Sequence, residues 1–329
     1  MATEKPLIKF GLPDQPSTRA LLEGKVGIDG YELVFNRDPI TPGEIHYRFV
    51  QGEFDVGDFS AATFLRTRER DDRFLALPVF LARGPRQRNI FYCEGRLAHP
   101  GDLKGKKIGC FRYGATAVVW ARGYLLDVYH LQTTDMEWYV SGREVYIGRD
   151  LPVKVERLDP PPPFGKEKPH LSRLLSEGLL QAAIVAGDNG PKGIFGGGSL
   201  PRVMGASPGV RPLCEDTEEI IRYIRKTRIY PIIHTVAMKR ELAERYPDLP
   251  ARLIEAFREA QRLSVHYMSP EEIAGYEKER EVLGEDPYAC VLGDTEKSTF
   301  KALMRYQIEQ GLMKKELPLE GLFVRAAYT

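Results

Sequence analysis

Short apolar runs alternate with amphipathic stretches from the first residues onward, and that alternation restricts the chain to an α/β fold. Leu7 to Leu12 reads as a strand and is followed by a helix near Thr18 to Glu23. The cycle repeats with Tyr31 to Phe35 and a helix near Glu44 to Gln51, then with Phe54 to Val56 and a helix from about Ser60 to Arg68. Leu75 to Phe80 and Asn89 to Tyr92 read as further strands. A turn-rich stretch from Gly95 opens a second unit, with Lys107 to Phe111 as a strand, a helix near Thr116 to Tyr129, a strand at Glu137 to Val140, and a helix near Leu171 to Glu177 feeding the strand Gln181 to Val185. Helical periodicity dominates the rest: Leu249 to Met268, Pro270 to Leu283, and Thr295 to Gln310 closed by Gly311. With 329 residues, 43% of them hydrophobic, the chain can supply two cores. Asp159 to Pro163 reads as a stiff spacer, and Gly190 to Gly209 as the irregular rim of a pocket.

Charge removes several classes of function. Lys+Arg 47 against Asp+Glu 46 leaves a formal charge of +1 without a basic stripe, so nucleic acid is not expected and the ligand should be small. No stretch reaches membrane-spanning length and the N-terminus has no apolar run suited to export, so the expectation is a cytoplasmic protein without membrane contact. Cys93, Cys110, Cys214 and Cys290 are scattered, and His46, His99, His130, His170, His234 and His266 show no ligand spacing. From these patterns no metal, cofactor or disulfide is expected. Assembly into a homo-oligomer stays open.

Two segments carry residues suited to chemistry. Asp55-Val-Gly-Asp58-Phe-Ser60-Ala-Ala-Thr63 reads as a strand entering a polar turn and a helix start, where N–H groups and hydroxyls stand beside two carboxylates. Tyr230-Pro-Ile-Ile-His234-Thr-Val sets one histidine in an apolar strand, either a proton donor in a dry site or a satisfied structural histidine. Arg19, just after the first strand, and Arg83 and Arg86, in Arg83-Gly-Pro-Arg86-Gln-Arg88, have guanidinium forks that fit carboxylates, or are solvated charges. Thr116 and Ala117 open a helix whose positive end can receive an anion, or they merely cap it. Tyr113 can stack on a ring or fill a core.

The chain resembles the 4,5-dihydroxyphthalate decarboxylase family. The resemblance is carried by Thr18-Arg19-Ala-Leu with Gly24; Phe54-Asp-Val56 with Ser60; Leu77-Pro-Val-Phe80 with Arg83 and Arg86; Asp102-Leu-Lys-Gly-Lys-Lys-Ile-Gly109; Tyr113 with Thr116-Ala and Trp120-Ala-Arg-Gly123; Tyr230-Pro-Ile-Ile-His234; and Arg305-Tyr306 with Glu309-Gln-Gly-Leu312. It implies a two-lobed type II periplasmic-binding-protein-like fold with a ligand cleft between the lobes. Residues 1–93 plus 229–329 would form one lobe and 94–228 the other, with crossings near 88–93 and 228–235. It also implies a cofactor-free carboxy-lyase acting on a hydroxylated aromatic carboxylate, with His234 and Asp58 catalytic and Arg19, Ser60, Arg83, Arg86, Tyr113, Thr116 and Ala117 binding substrate. Chorismate dehydratase and 1,4-dihydroxy-6-naphthoate synthase share this fold, so a lyase or dehydratase acting on another cyclic carboxylate is an alternative, as is a solute-binding protein. The chain departs from the family pattern at Gln87, where a histidine is usual, at Arg112, where a glutamate is usual, and at Asp58, which replaces a longer glutamate.

Overall fold

In the computed structural model, residues 5–36, 40–142, 151–158, 170–185 and 209–328 are described. The Asp159 to Pro163 spacer and all but the last residue of the Gly190 to Gly209 stretch lie outside them. The chain folds as two α/β units, one formed by Met1–Arg83, Ile232–Lys297 and Leu317–Thr329, the other by Gly84–Pro231 and Ser298–Glu316.

In the first unit the chain runs β1 (Leu7–Gly11), α1 (Pro16–Leu22), β2 (Glu32–Phe35), α2 (Pro42–Val50), β3 (Val56–Ser60), α3 (Ala61–Arg70), β4 (Phe74–Ala76) and β5 (Ala82–Arg83). After the second unit it returns as β12 (Ile232–Lys239), α7 (Arg240–Arg245), α8 (Leu249–Leu263) and α9 (Pro270–Leu283). The strands order as β2-β1-β3-β12-β4, with β5 also on β12. The β1 pairings with β2 and β3 are parallel, whereas β12 runs antiparallel to β3, β4 and β5. A central strand covered on both faces needs no polar side, and all five residues of β3 are buried. Ile8, Phe10, Val56, Val236 and Met238 pack with Leu21 of α1 and Leu253 and Phe257 of α8. Phe49 of α2 meets Phe59 and Phe74 at ring-centroid distances of 5.4 and 4.7 Å. The α2 start is fixed by Thr41, whose side chain accepts from Glu44 N, with Pro42 preset for the first turn.

The second unit contains β6 (Ile90–Cys93), β7 (Lys107–Cys110), α4 (Thr116–Tyr129), β8 (Glu137–Val140), β9 (Val155–Arg157), α5 (His170–Glu177), β10 (Ala182–Ile184), β11 (Val210–Pro212) and α6 (Thr217–Thr227). Its sheet is ordered β11-β6-β10-β7-β8-β9. Phe91, Leu174, Leu175, Leu180, Ala183 and Val185 form its apolar centre. Most of α10 (Asp294–Glu309) belongs here as well. Gly123 of α4 admits the Tyr306 ring, since a Cβ at that position would overlap it. Arg305 forks onto Asp127 at 3.0 and 2.9 Å, and Gln310 donates to Val119 O at 3.0 Å.

Three expectations need correction. Both unit boundaries shift: β6 pairs with β10 and β11 and so lies in the second unit, and residues 298–316 join that unit through the α10–α4 contacts just given. The strand expected over Leu75 to Phe80 stops at Ala76, two residues before Pro78, which has no N–H to give a ladder. The polar turn expected around Asp58 is instead the interior of β3. Among the described residues no helix is long and apolar enough to cross a membrane.

Candidate functional site

Strand register brings Asp58 and His234 together. On β3 and β12, Ser60 opposes His234 and Val236 opposes Asp58, so Asp58 and His234 are diagonal neighbours. On the other side of β12 the register slips: Arg83 opposes Ile232 and Ala82 opposes His234, which leaves Ile233 as an extra residue. Such a bulge re-aims the side chains next to it. His234 Nδ1 lies 3.0 Å from Asp58 Oδ2, and His46 Nε2, carried by α2, lies 3.1 Å from the same oxygen. The two imidazole rings meet edge to face at 4.8 Å.

This cluster has uneven access to water. The Asp58 side chain is 0% exposed, while those of His46 and His234 keep 11% and 16% of their surface. Burial pushes the Asp58 carboxyl up, but the charge and hydrogen bonds of His234 and His46 outweigh it and hold the group well below the usual carboxylate range. Asp58 is therefore a buried, ionised acceptor that fixes two imidazoles. Among the described residues its Oδ1 has no hydrogen-bond partner. Leaving a buried acceptor unpaired costs about 1–3 kcal/mol, more when it is charged. A fold that retains such a group on a central strand invites a functional explanation.

The histidines show no ligand spacing along the chain, yet the fold sets His46 and His234 on one carboxylate. Spacing along the chain could not reveal their meeting, because α2 and β12 are far apart in sequence and are brought together only by packing around β3. His46 itself was missed. Its signal was a histidine on the buried stripe of α2, beside Ile45, Phe49 and Val50.

The other residues expected at the site fall in different settings. Ser60 is buried and caps α3: its Oγ accepts from Thr63 N at 3.4 Å and sits 3.0 Å from Thr63 Oγ1. Arg19 pairs with Asp14 at 2.5 Å, and its side chain is 43% exposed. Asp55 is bonded to Lys239 Nζ and Lys9 N at 2.8 and 2.9 Å. Arg83 corrects its assignment as a carboxylate clamp, because its Nη1 is held at 2.6 Å by both Glu296 and Pro287 O within a buried pair. In the second unit, Tyr113 corrects the ring-stacking expectation. It is fully buried, with the Arg122 guanidinium 3.6 Å from its ring centroid and Trp138 edge-on at 5.5 Å. Thr116 and Ala117 are buried in the first turn of α4, whose N-cap is Ala115. Arg86 is also buried, and its Nη1 donates to Pro85 O at 3.1 Å.

The fold places the chain with two-unit α/β proteins of the solute-binding type. It is similar to the periplasmic aliphatic sulphonate binding protein SsuA from Escherichia coli, with a TM-score of 0.57 and 14% identity over 97% of this chain and 92% of that one. It is also similar to the desulfurization enzyme DSZB, with a TM-score of 0.52 and 12% identity over 98% of each chain. In sequence it is 29% identical over 261 residues to the 4,5-dihydroxyphthalate decarboxylase of Comamonas testosteroni, covering 76% of this chain and 73% of the relative. It is 32% identical over 174 residues to the 4,5-dihydroxyphthalate decarboxylase of Pseudomonas putida, covering 50% of this chain and 65% of the relative. No family model matches the chain.

Proposed function

We propose that the protein is a carboxy-lyase that removes carbon dioxide from a hydroxylated aromatic carboxylate similar to 4,5-dihydroxyphthalate. The observation that carries this reading is the pair of imidazoles fixed on a buried, ionised Asp58, in a chain similar to two 4,5-dihydroxyphthalate decarboxylases. In such a substrate each carboxylate is para to a hydroxyl. Electron density from that hydroxyl reaches the carbon bearing the carboxylate, which accepts a proton. The C–C bond then breaks, its electrons restore the aromatic ring, and carbon dioxide leaves.

Protonating a ring carbon needs a positioned acid, which accelerates such steps by about 10²–10⁴-fold. His234 is assigned that role: Asp58 holds Nδ1, and Nε2 of the imidazolium is the proton source. Ser60, opposite His234 on the neighbouring strand, and Arg19 are the donors assigned to the substrate oxygens. The chemistry requires an acid and an anion clamp, without a redox step. Non-catalytic solute binding, the alternative the fold supports, gives ligand retention with no product.

The test is to incubate the protein with a panel of hydroxybenzoates and phthalates and follow carbon dioxide release. The expected result is stoichiometric release from a ring with hydroxyls para to its carboxylates, and none from phthalate itself. Binding of the same compounds without any release would overturn the proposal in favour of solute binding.

A further inference from the structure

From the geometry of the first unit we infer that His46, Asp58 and His234 form a binding site for one divalent transition-metal ion. The three ligand atoms, His46 Nε2, Asp58 Oδ2 and His234 Nδ1, all lie within 4.8 Å of one another. Two ligands about 2.1 Å from one cation are separated by roughly 3.0 Å at a right angle and roughly 3.4 Å at a tetrahedral angle. The separations of 3.1 and 3.0 Å from Asp58 Oδ2 to the two nitrogens match the first of these, and the nitrogens, within 4.8 Å of each other, must close to no more than about 4.2 Å to share the ion. Two imidazoles with one carboxylate, leaving further positions open, is a recognised donor set for such ions.

A second observation points the same way. Both nitrogens converge on one oxygen of Asp58, while Oδ1 is buried without a hydrogen-bond partner. A carboxylate whose purpose was to accept two hydrogen bonds would be better satisfied with one on each oxygen. A cation seated among the three atoms could also take Oδ1. Among the described residues no lysine or arginine pairs with Asp58, so the buried negative charge faces only the imidazoles. A dication would neutralise it. The partial exposure of both histidines gives the ion a way in.

This inference goes beyond the proposed function and does not depend on it. A cation bound at His234 Nδ1 uses the lone pair that must carry a proton in the imidazolium. Metal-bound and proton-donating forms of the cluster therefore exclude one another, which makes the metal a competitor of the acid step and not its cofactor.

The experiment is a titration of metal-depleted full-length protein with Co²⁺, followed by visible absorption. The expected result is one Co²⁺ per chain with the d–d bands of a nitrogen–oxygen site. Affinity should fall by more than about tenfold in His46→Gln and in Asp58→Asn, and be unchanged in His266→Gln, which alters an exposed histidine. If Asp58→Asn does not fold, His46→Gln carries the comparison alone. Absence of a saturable equimolar site in the wild type, or wild-type affinity in His46→Gln, would overturn the inference. Because the readout is spectroscopic, a chain that binds Co²⁺ and decarboxylates nothing would refute the proposed function alone. A decarboxylase that binds no Co²⁺ would refute only the metal site.

Discussion

Asp58 in the first unit and Asp127 in the second are both carboxylates drawn into polar clusters, yet their surroundings differ in kind. Asp127 uses both oxygens: Arg305 forks across Oδ1 and Oδ2, and the hydroxyls of Tyr306 and Tyr223 donate to Oδ2. The two tyrosine hydroxyls are 2.9 Å apart, so the Tyr223 proton is shared between Tyr306 and Asp127. Asp58 spends one oxygen on two imidazoles, and the other has no partner among the described residues. The first arrangement is what a structural lock requires, because both carboxylate oxygens are answered by groups of the protein. The second retains an unanswered acceptor beside two imidazoles. A satisfied network stabilises the fold, whereas an incompletely satisfied one marks a place where something else binds or reacts.

The largest effect is expected from removing the acid of the Asp58 cluster. His234→Gln keeps a hydrogen-bonding side chain near Asp58 but cannot donate a ring proton. Its turnover should fall by about 10²–10⁴-fold with little change in thermal midpoint. Steady-state kinetics on the best substrate of the panel checks this, and wild-type turnover in the variant would end the assignment of His234 as the acid.

The next effect concerns Arg83, which the structure moves from substrate clamp to internal support. Glu296→Leu removes the carboxylate from a buried guanidinium and should cost about 3–5 kcal/mol, read by denaturant unfolding. Arg83→Met combined with Glu296→Leu should recover much of that loss, since it removes both charges. A double variant as unstable as the single one would show that the pair is not the source.

On the structural side, Gly123→Ala sets a methyl group against the Tyr306 ring that α10 delivers to α4. The expected cost is about 1–3 kcal/mol, with turnover per folded molecule unchanged. A variant as stable as the wild type would mean that α10 can slide away from α4. The smallest effect should come from chelation. Prolonged EDTA treatment should leave decarboxylation intact, whereas equimolar Zn²⁺ should lower it. Loss of activity in EDTA, restored by one metal, would make the ion a cofactor instead of a competitor.

The fold was more legible than the site because its signals are local. The apolar periodicities located α4 at Thr116–Tyr129, β8 at Glu137–Val140 and α9 at Pro270–Leu283, where sequence and structure agree to the residue. The β3 strand was harder to read. Gly57, Asp58 and Ser60 are turn formers by propensity, and only the position of β3 between β1 and β12 holds them extended. His234 could be noticed in an otherwise apolar strand. His46 could not be linked to it, because their meeting depends on α2 packing over β3 and on the register of β3 with β12. Arg83 was misread for the same reason: its partner, Glu296, is brought to it only by tertiary packing.

The central claim is that the Asp58 cluster performs the chemistry and the Asp127 cluster only holds the fold. The most direct measurement compares Asp58→Asn with Asp127→Asn, recording for each the initial rate of carbon dioxide release from 4,5-dihydroxyphthalate per folded molecule and the thermal midpoint. Asp58→Asn should lose at least about a hundredfold in rate, while Asp127→Asn should lose stability but keep its rate. A wild-type rate in Asp58→Asn, or a rate in Asp127→Asn as low as that of Asp58→Asn, would contradict it.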